Sequence, residues 1–172
     1  MNGLLHWLAH RRVSLGFACA VVAYAFAQPT ARSIAIGCLI ALPGELFRIW
    51  AAGHIDKGRE VTRSGPYRLV RHPLYLGSAV LGFGFVVAAR SLVSGAVVAV
   101  YLAVTLLASI RTEEAGLERK FGGEYAAYRE GRAAPVDRPF RLERVWANRE
   151  HRAVAGFVIA MGLLGLRGLL QF

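Results

Sequence analysis

Apolar residues in this chain come in long unbroken runs rather than in alternating or three-and-four patterns, and five such runs can be marked: 13–28, 33–52, 73–89, 92–110 and 153–170. Each approaches the roughly 17–25 residues that carry a helix across a bilayer. A run that is apolar all round has no polar face to offer water, which sets these segments apart from the amphipathic helices of a soluble core. Helix is the expected form, because an open sheet edge in lipid leaves N–H and C=O groups without partners. The pattern therefore predicts an all-α fold, a polytopic membrane helix bundle with about five transmembrane helices, in one domain over residues 1–172. The short connections 29–32 and 90–91 make hairpins of neighbouring runs. Pro43 is expected to kink the second helix. Just beyond it Glu45 and Arg48, three apart, can face each other, either as a functional intramembrane pair or as a pair that merely neutralises itself. Gly77, Gly82 and Gly84 in the third run and Gly162, Gly165 and Gly168 in the fifth suggest close helix packing.

Charge orients the bundle. Lys and Arg number 21 against 11 Asp and Glu, a net charge of +10. Arg11 and Arg12 precede the first run; Lys57, Arg59, Arg63, Arg68 and Arg71 fill the second connection; ten more basic residues from Arg111 to Arg152 fill the fourth. The opposite side carries only Arg32, Arg90 and Arg167. The positive-inside rule then places the N-terminus and both long polar segments in the cytoplasm and the C-terminus outside, in the inner (plasma) membrane for a bacterial chain. A pI near 10.6 would suggest nucleic acid for a soluble protein. Here the anionic leaflet accounts for it, and no nucleic-acid partner is expected. Residues 1–27 also have the layout of a cleavable leader, with Ala25-Phe26-Ala27 at its end; the later spans keep their orientation either way. Cys19 and Cys38 fall inside apolar runs, which suggests packing rather than a disulfide or a metal site.

The candidate chemistry lies where polar segments meet apolar runs. In Arg71-His72-Pro73-Leu74-Tyr75-Leu76-Gly77, Pro73 fits the first position of a helix, so Arg71 and His72 stand at its positive mouth, a place suited to a carboxylate. Basic residues flanking a membrane helix are the plainer reading. In the long fourth connection Glu114, Leu117, Phe121, Tyr125 and Tyr128 recur at three- and four-residue steps and would share one stripe of a helix with Glu114 inward, unless Gly122-Gly123 interrupts it. An interfacial helix whose Glu113 and Glu114 pair with nearby basic residues is the alternative. Phe140, Leu142, Val145 and Trp146 among arginines read as an amphipathic anchor on the membrane surface.

Taken together, Gly65-Pro66-Tyr67, the Arg71–Gly77 segment, Glu113-Glu114, Leu117, Phe121-Gly122, Tyr125 and Tyr128 resemble the isoprenylcysteine carboxyl methyltransferase and phospholipid methyltransferase family, over about residues 48–139. The chain departs from the pattern at Tyr128–Pro135, where family members commonly continue into Arg-Val-Pro. The resemblance implies a membrane enzyme that moves a methyl group from S-adenosylmethionine to a lipid-borne or small hydrophobic acceptor, the lipid bilayer being its partner and the cofactor segment cytoplasmic. It also implies Arg71, His72, Tyr75, Glu113 and Glu114 as cofactor-binding residues, with His72 and Glu114 catalytic and no metal. Isoprenylcysteine carboxyl methylation is the nearest match; phospholipid amines and small thiols are alternative acceptors. An NADPH-dependent membrane reductase or a non-enzymatic membrane protein is the reading of another class.

Overall fold

The computed structural model describes residues 3–170. Phe172, expected outside, and Met1 and Asn2 of the leader reading lie outside the described residues, as does the side chain of Arg12. The helices in chain order are α1 (Gly3–Ala25), α2 (Ala31–His54), α3 (Pro73–Ala89), α4 (Leu92–Phe121), α5 (Gly123–Arg129), α6 (Leu142–Ala147) and α7 (Glu150–Leu170), with a 3-10 turn over Gly65–Arg68. No strand is found among the described residues. The bundle is all-α, as the hydropathy requires. By length and composition α2, α4 and α7 can each cross a membrane, while Val13–Ala25 and Pro73–Ala89 are shorter apolar segments. Large apolar side chains such as Phe17, Leu39, Phe83 and Leu169 are more than half exposed on the outside of the bundle, a surface that suits lipid and not water.

Helix ends differ from the apolar runs because caps and polar packing, not hydropathy, set them. The first helix stops at Ala25, short of 28. Thr30 caps α2, its hydroxyl accepting from the Ser33 N–H at 3.1 Å while the Ser33 hydroxyl accepts from the Thr30 N–H at 2.9 Å. That reciprocal cap starts α2 at Ala31 and closes the turn from α1. The α2 helix continues through Pro43 to His54. Ser91 caps α4, and the buried Ser94 hydroxyl donates to the Ala23 carbonyl at 2.6 Å, tying α4 to α1. The 30 residues of α4 make a rod of about 45 Å, longer than a hydrocarbon core of about 30 Å. Its last turns carry Glu113 and Glu114 to the polar end of the bundle.

The closest packing is between α2 and α3. A Cβ added to Gly37 would lie 2.5 Å from the Gly84 carbonyl oxygen, and one added to Gly44 would lie 2.9 Å from that of Gly77. The two backbones meet at both levels because no side chain intervenes. Gly82 admits Leu102 of α4 in the same way. The glycines of α7 behave differently: an added Cβ at Gly162 or Gly165 meets nothing within 4 Å, and Gly168 only touches Pro29. The expectation of close packing holds for the third run and not for the middle of the fifth, because that face of α7 has no helix against it. Replacement of Gly84 by Val should force α2 and α3 apart and lower the unfolding midpoint in detergent, at a cost of about 1–3 kcal/mol or more. Gly162→Val should leave that midpoint unchanged, and equal losses in the two variants would remove this account.

Candidate functional site

The polar end of the bundle gathers the end of α2, the start of α3, the overhang of α4 and the start of α7. The connection from α2 to α3 is shaped by one close approach. His54 is buried, its Nδ1 3.2 Å from the Ser64 hydroxyl, and Gly65 lies against the imidazole so closely that a Cβ would sit 2.4 Å from the ring. With φ at +55°, Gly65 also occupies a region where side chains are strained. Both conditions select glycine, and the turn they permit, led by Pro66, directs Tyr67 inward. The Tyr67 hydroxyl is buried with no hydrogen-bond partner among the described residues.

Two residues beyond Val70 the chain enters α3 as the sequence predicts, with His72 at the N-cap and Pro73 at the first helical position. Glu114, on the α4 overhang, reaches across to both basic residues. Its Oε1 lies 3.1 Å from His72 Nε2 and 3.6 Å from an Arg71 guanidinium nitrogen. The Tyr75 ring, one turn into α3, stands 5.8 Å from that of His72. Gly122, at φ +46°, ends α4 and lets the chain restart as α5, so the stripe of Glu114, Leu117, Phe121, Tyr125 and Tyr128 is carried on two helices. Tyr125 is buried, and burial together with the Glu114 carboxylate pushes its phenol up to about 12. Burial raises Tyr67 and Tyr128 as well. All three phenols keep their protons at neutral pH and are available as donors.

These residues frame two adjoining cavities. The first, of about 290 Å³, lies between the 55–62 segment, the α4 overhang and α5. The second, of about 460 Å³, lies between α3, α4 and the start of α7. Lys57, Tyr67, Arg71, His72 and Glu113 line both and so form the wall between them. Cross-links close the first cavity: Tyr128 donates to the Tyr67 carbonyl at 2.8 Å, Arg63 pairs with Glu124 at 3.2 Å, Lys120 donates to the Gly58 carbonyl, and Arg138 pairs with Glu60.

Of the residues singled out from sequence, Arg71, His72 and Glu113 face both cavities and Tyr75 faces the second. Glu114 lines neither; it holds His72 and Arg71 in place. Lys57 and Thr62 were not legible, since they lie in a polar loop without a motif. Arg48 meets Glu45 only at 3.9 Å and instead grips Glu150, at 2.8 and 3.0 Å, across 102 residues of chain. The one hint of this in the sequence is a carboxylate opening the fifth run. The amphipathic 140–146 segment is docked as well as exposed: Arg144 donates to the Gly53 carbonyl at 3.3 Å and Phe140 packs against Gly53, while Trp146 points outward.

The chain is 37% identical over 107 residues to the cobalt-zinc-cadmium resistance protein CzcN of Cupriavidus metallidurans, covering 58% of this chain and 47% of that one. It is 32% identical over 94 residues to the nickel-cobalt-cadmium resistance protein NccN of Alcaligenes xylosoxydans xylosoxydans, covering 54% and 44%. The chain spans about half the length of these curated relatives. No solved structure matches it. A family model described as phospholipid methyltransferase matches residues 12–124, which include the second half of α1, all of α2 to α4, the Arg71-His72-Pro73 turn and both glutamates, and the chain belongs to that family.

Proposed function

We propose that the protein transfers a methyl group from S-adenosylmethionine in the first cavity to a lipid-embedded or membrane-proximal acceptor in the second. The observation that carries this reading is the wall shared by two cavities at the mouth of α3. A two-substrate displacement needs donor and acceptor held in line on either side of one surface and shielded from water. The first cavity fits the donor: Tyr67 offers a buried hydroxyl lacking a partner, Tyr125 and Tyr128 offer aromatic faces, and Arg71 offers a guanidinium for a carboxylate. Its volume of about 290 Å³ is at the lower limit of small-molecule sites, which favours a single nucleoside over a nicotinamide dinucleotide. Bound there, S-adenosylmethionine supplies an electrophilic methyl group on a sulfonium sulfur.

The second cavity combines apolar walls, including Val13, Leu74, Leu102 and Leu106, with a basic lining. Arg48 and Glu150 neutralise each other, and Lys57, Arg71, Arg149 and Arg152 then outnumber Glu113. An acceptor with an anionic group and an apolar tail suits this wall, most like the carboxylate of an isoprenylcysteine. A carboxylate has no proton to lose, so His72, oriented by Glu114, need only hold the wall in shape. A small thiol is the second reading. Its thiolate is anionic too, thiolates are ligands for zinc and cadmium among the metals in the relatives' names, and His72 could accept its proton. A phospholipid amine would bring a cation to a wall already basic. The polar end, with its arginine excess, faces the cytoplasm in this reading.

Titration of detergent-purified protein should show binding of S-adenosylmethionine and none of NADPH. Arg71→Gln and Glu113→Gln should each weaken that binding about tenfold or more, the loss of one charge-assisted contact. His72→Ala and Glu114→Gln should together cost less than the sum of the two alone, because Glu114 acts in part through His72 and in part through Arg71. Arg32→Gln, at the opposite end, should bind as the parent does; if it loses as much as Arg71→Gln, a diffuse field and not a site is being measured.

Topology supplies an independent check. A reporter inserted near Gly131 should read as cytoplasmic and one fused after Phe172 as external. A cytoplasmic reading at both would remove the five-span arrangement.

A further inference from the structure

Arg48 holds together three helices in the wall of the second cavity. Its guanidinium donates to Glu150 of α7 through both carboxylate oxygens, at 2.8 and 3.0 Å, and to the Leu74 carbonyl of α3 at 3.1 Å and the Ser78 hydroxyl. One turn before it on α2 lies a second carboxylate with nothing to do. Glu45 is 3% exposed, neither of its oxygens accepts a hydrogen bond among the described residues, and the Arg48 Nε, also unsatisfied, is 3.9 Å away. A buried carboxylate without a partner is costly, and one arginine between two carboxylates leaves one of them unmatched. The surplus is explained if the arginine uses both, one at a time.

The surroundings give the exchange a mechanical consequence. α4 packs on α1 and α3, whereas α7 packs on α2 and α3, so the second cavity lies in the gap between α4 and the first turns of α7. The far end of α7 is pinned, Arg167 donating to the Ala27 carbonyl at 2.6 Å and the Ala25 carbonyl at 2.9 Å. At its near end α7 is joined to α6 through Arg149, a non-glycine residue at φ +61°, while Asn148 anchors α6 to the Ala52 and Ile55 carbonyls at 3.0 and 3.2 Å. The motion left to α7 is a swing of its first turns about the far end pinned by Arg167, taken up in the backbone at Arg149, and Glu150 on Arg48 is a contact that resists it. Without Glu45, that swing would leave the guanidinium with the neutral Leu74 carbonyl and Ser78 hydroxyl and no carboxylate. With Glu45 present, the arginine keeps a partner in either position.

We propose that Arg48 is the latch of a lateral gate, seated on Glu150 when the second cavity is shut and on Glu45 when the start of α7 moves aside to admit an acceptor from the lipid. The proposal rests on the second cavity being the acceptor site. Arg48, Glu45 and Glu150 are positioning residues here and take no part in bond making.

The test uses the full chain with Cys19 and Cys38 replaced by alanine and Ser109→Cys as reporter, a near-isosteric change at a buried position lining the second cavity. The protein is placed in phosphatidylcholine–phosphatidylglycerol vesicles with an alkyl-chain maleimide dissolved in the bilayer, and labelling is followed by mass. Glu150→Gln should label faster than the parent and Glu45→Gln slower, each by about fivefold or more, the lower end of coupling between linked sites. S-adenosylmethionine affinity should be the same in both. Glu45→Met is read in the same way should Glu45→Gln fail to reach the membrane. A merely structural pair would make both losses accelerate labelling, so acceleration by Glu45→Gln, or a rate equal to the parent's, overturns the latch. Labelling from the lipid in no variant overturns the acceptor assignment of the cavity along with it.

Discussion

Direct backbone contact between α2 and α3 fixes everything at the polar end. Gly37 against Gly84 and Gly44 against Gly77 bring the two helices to a separation that only residues without side chains permit. That spacing carries the end of α2 to the start of α3, so that Arg48 reaches the Leu74 carbonyl and Ser78. It also leaves the 55–72 connection to fold back over His54 by way of Gly65. In lipid there is no gain from burying one apolar surface against another, so close van der Waals fit and the few polar contacts supply the specificity of the bundle.

The site exploits a mismatch in length. At 30 residues α4 is longer than a hydrocarbon core is thick, and its final turns bring carboxylates to the mouth of α3 among basic residues. Glu114 then serves two basic residues at once, His72 and Arg71, and its neighbour Glu113 is left to face the cavities. Tyr67 and Tyr128, linked through a carbonyl, close the first cavity from the side of the polar loop. Cavity-lining groups thus come from separate stretches of chain, and Arg71, His72 and Tyr128 are held by contacts to another stretch rather than by their own helix.

Charge inside the bundle follows a different logic from charge at its end. The arginines of the polar segments are spread over solvent-facing pairs such as Arg68 with Asp137, which contribute little to stability when exposed. Arg48, on α2, is largely buried and donates to two other helices, α3 and α7. Its removal would leave two buried carboxylates near each other with no cation between them.

Hydropathy is a local property, so the apolar runs, the all-α class and the charge asymmetry between the two ends were all readable in the sequence. The start of α3 was readable for the same reason, since a proline at the first helical position and the residue before it obey rules that need no partner. Helix ends were less so, because Ser33, Ser94 and Glu150 settle them through contacts with other segments. Periodicity put Glu113 and Glu114 at the right end of α4 but could not say which faced the cavity: adjacent residues on a helix point about 100° apart, and the position of the α3 mouth makes the choice. The same holds for the glycines, equal in the sequence, of which Gly84 meets a helix and Gly162 meets none. Arg48 and Glu150 are furthest from legibility. Sequence supplied a plausible partner three residues away, and only the tertiary fold, by laying the start of α7 beside α2, decided that the arginine binds a carboxylate 102 residues distant.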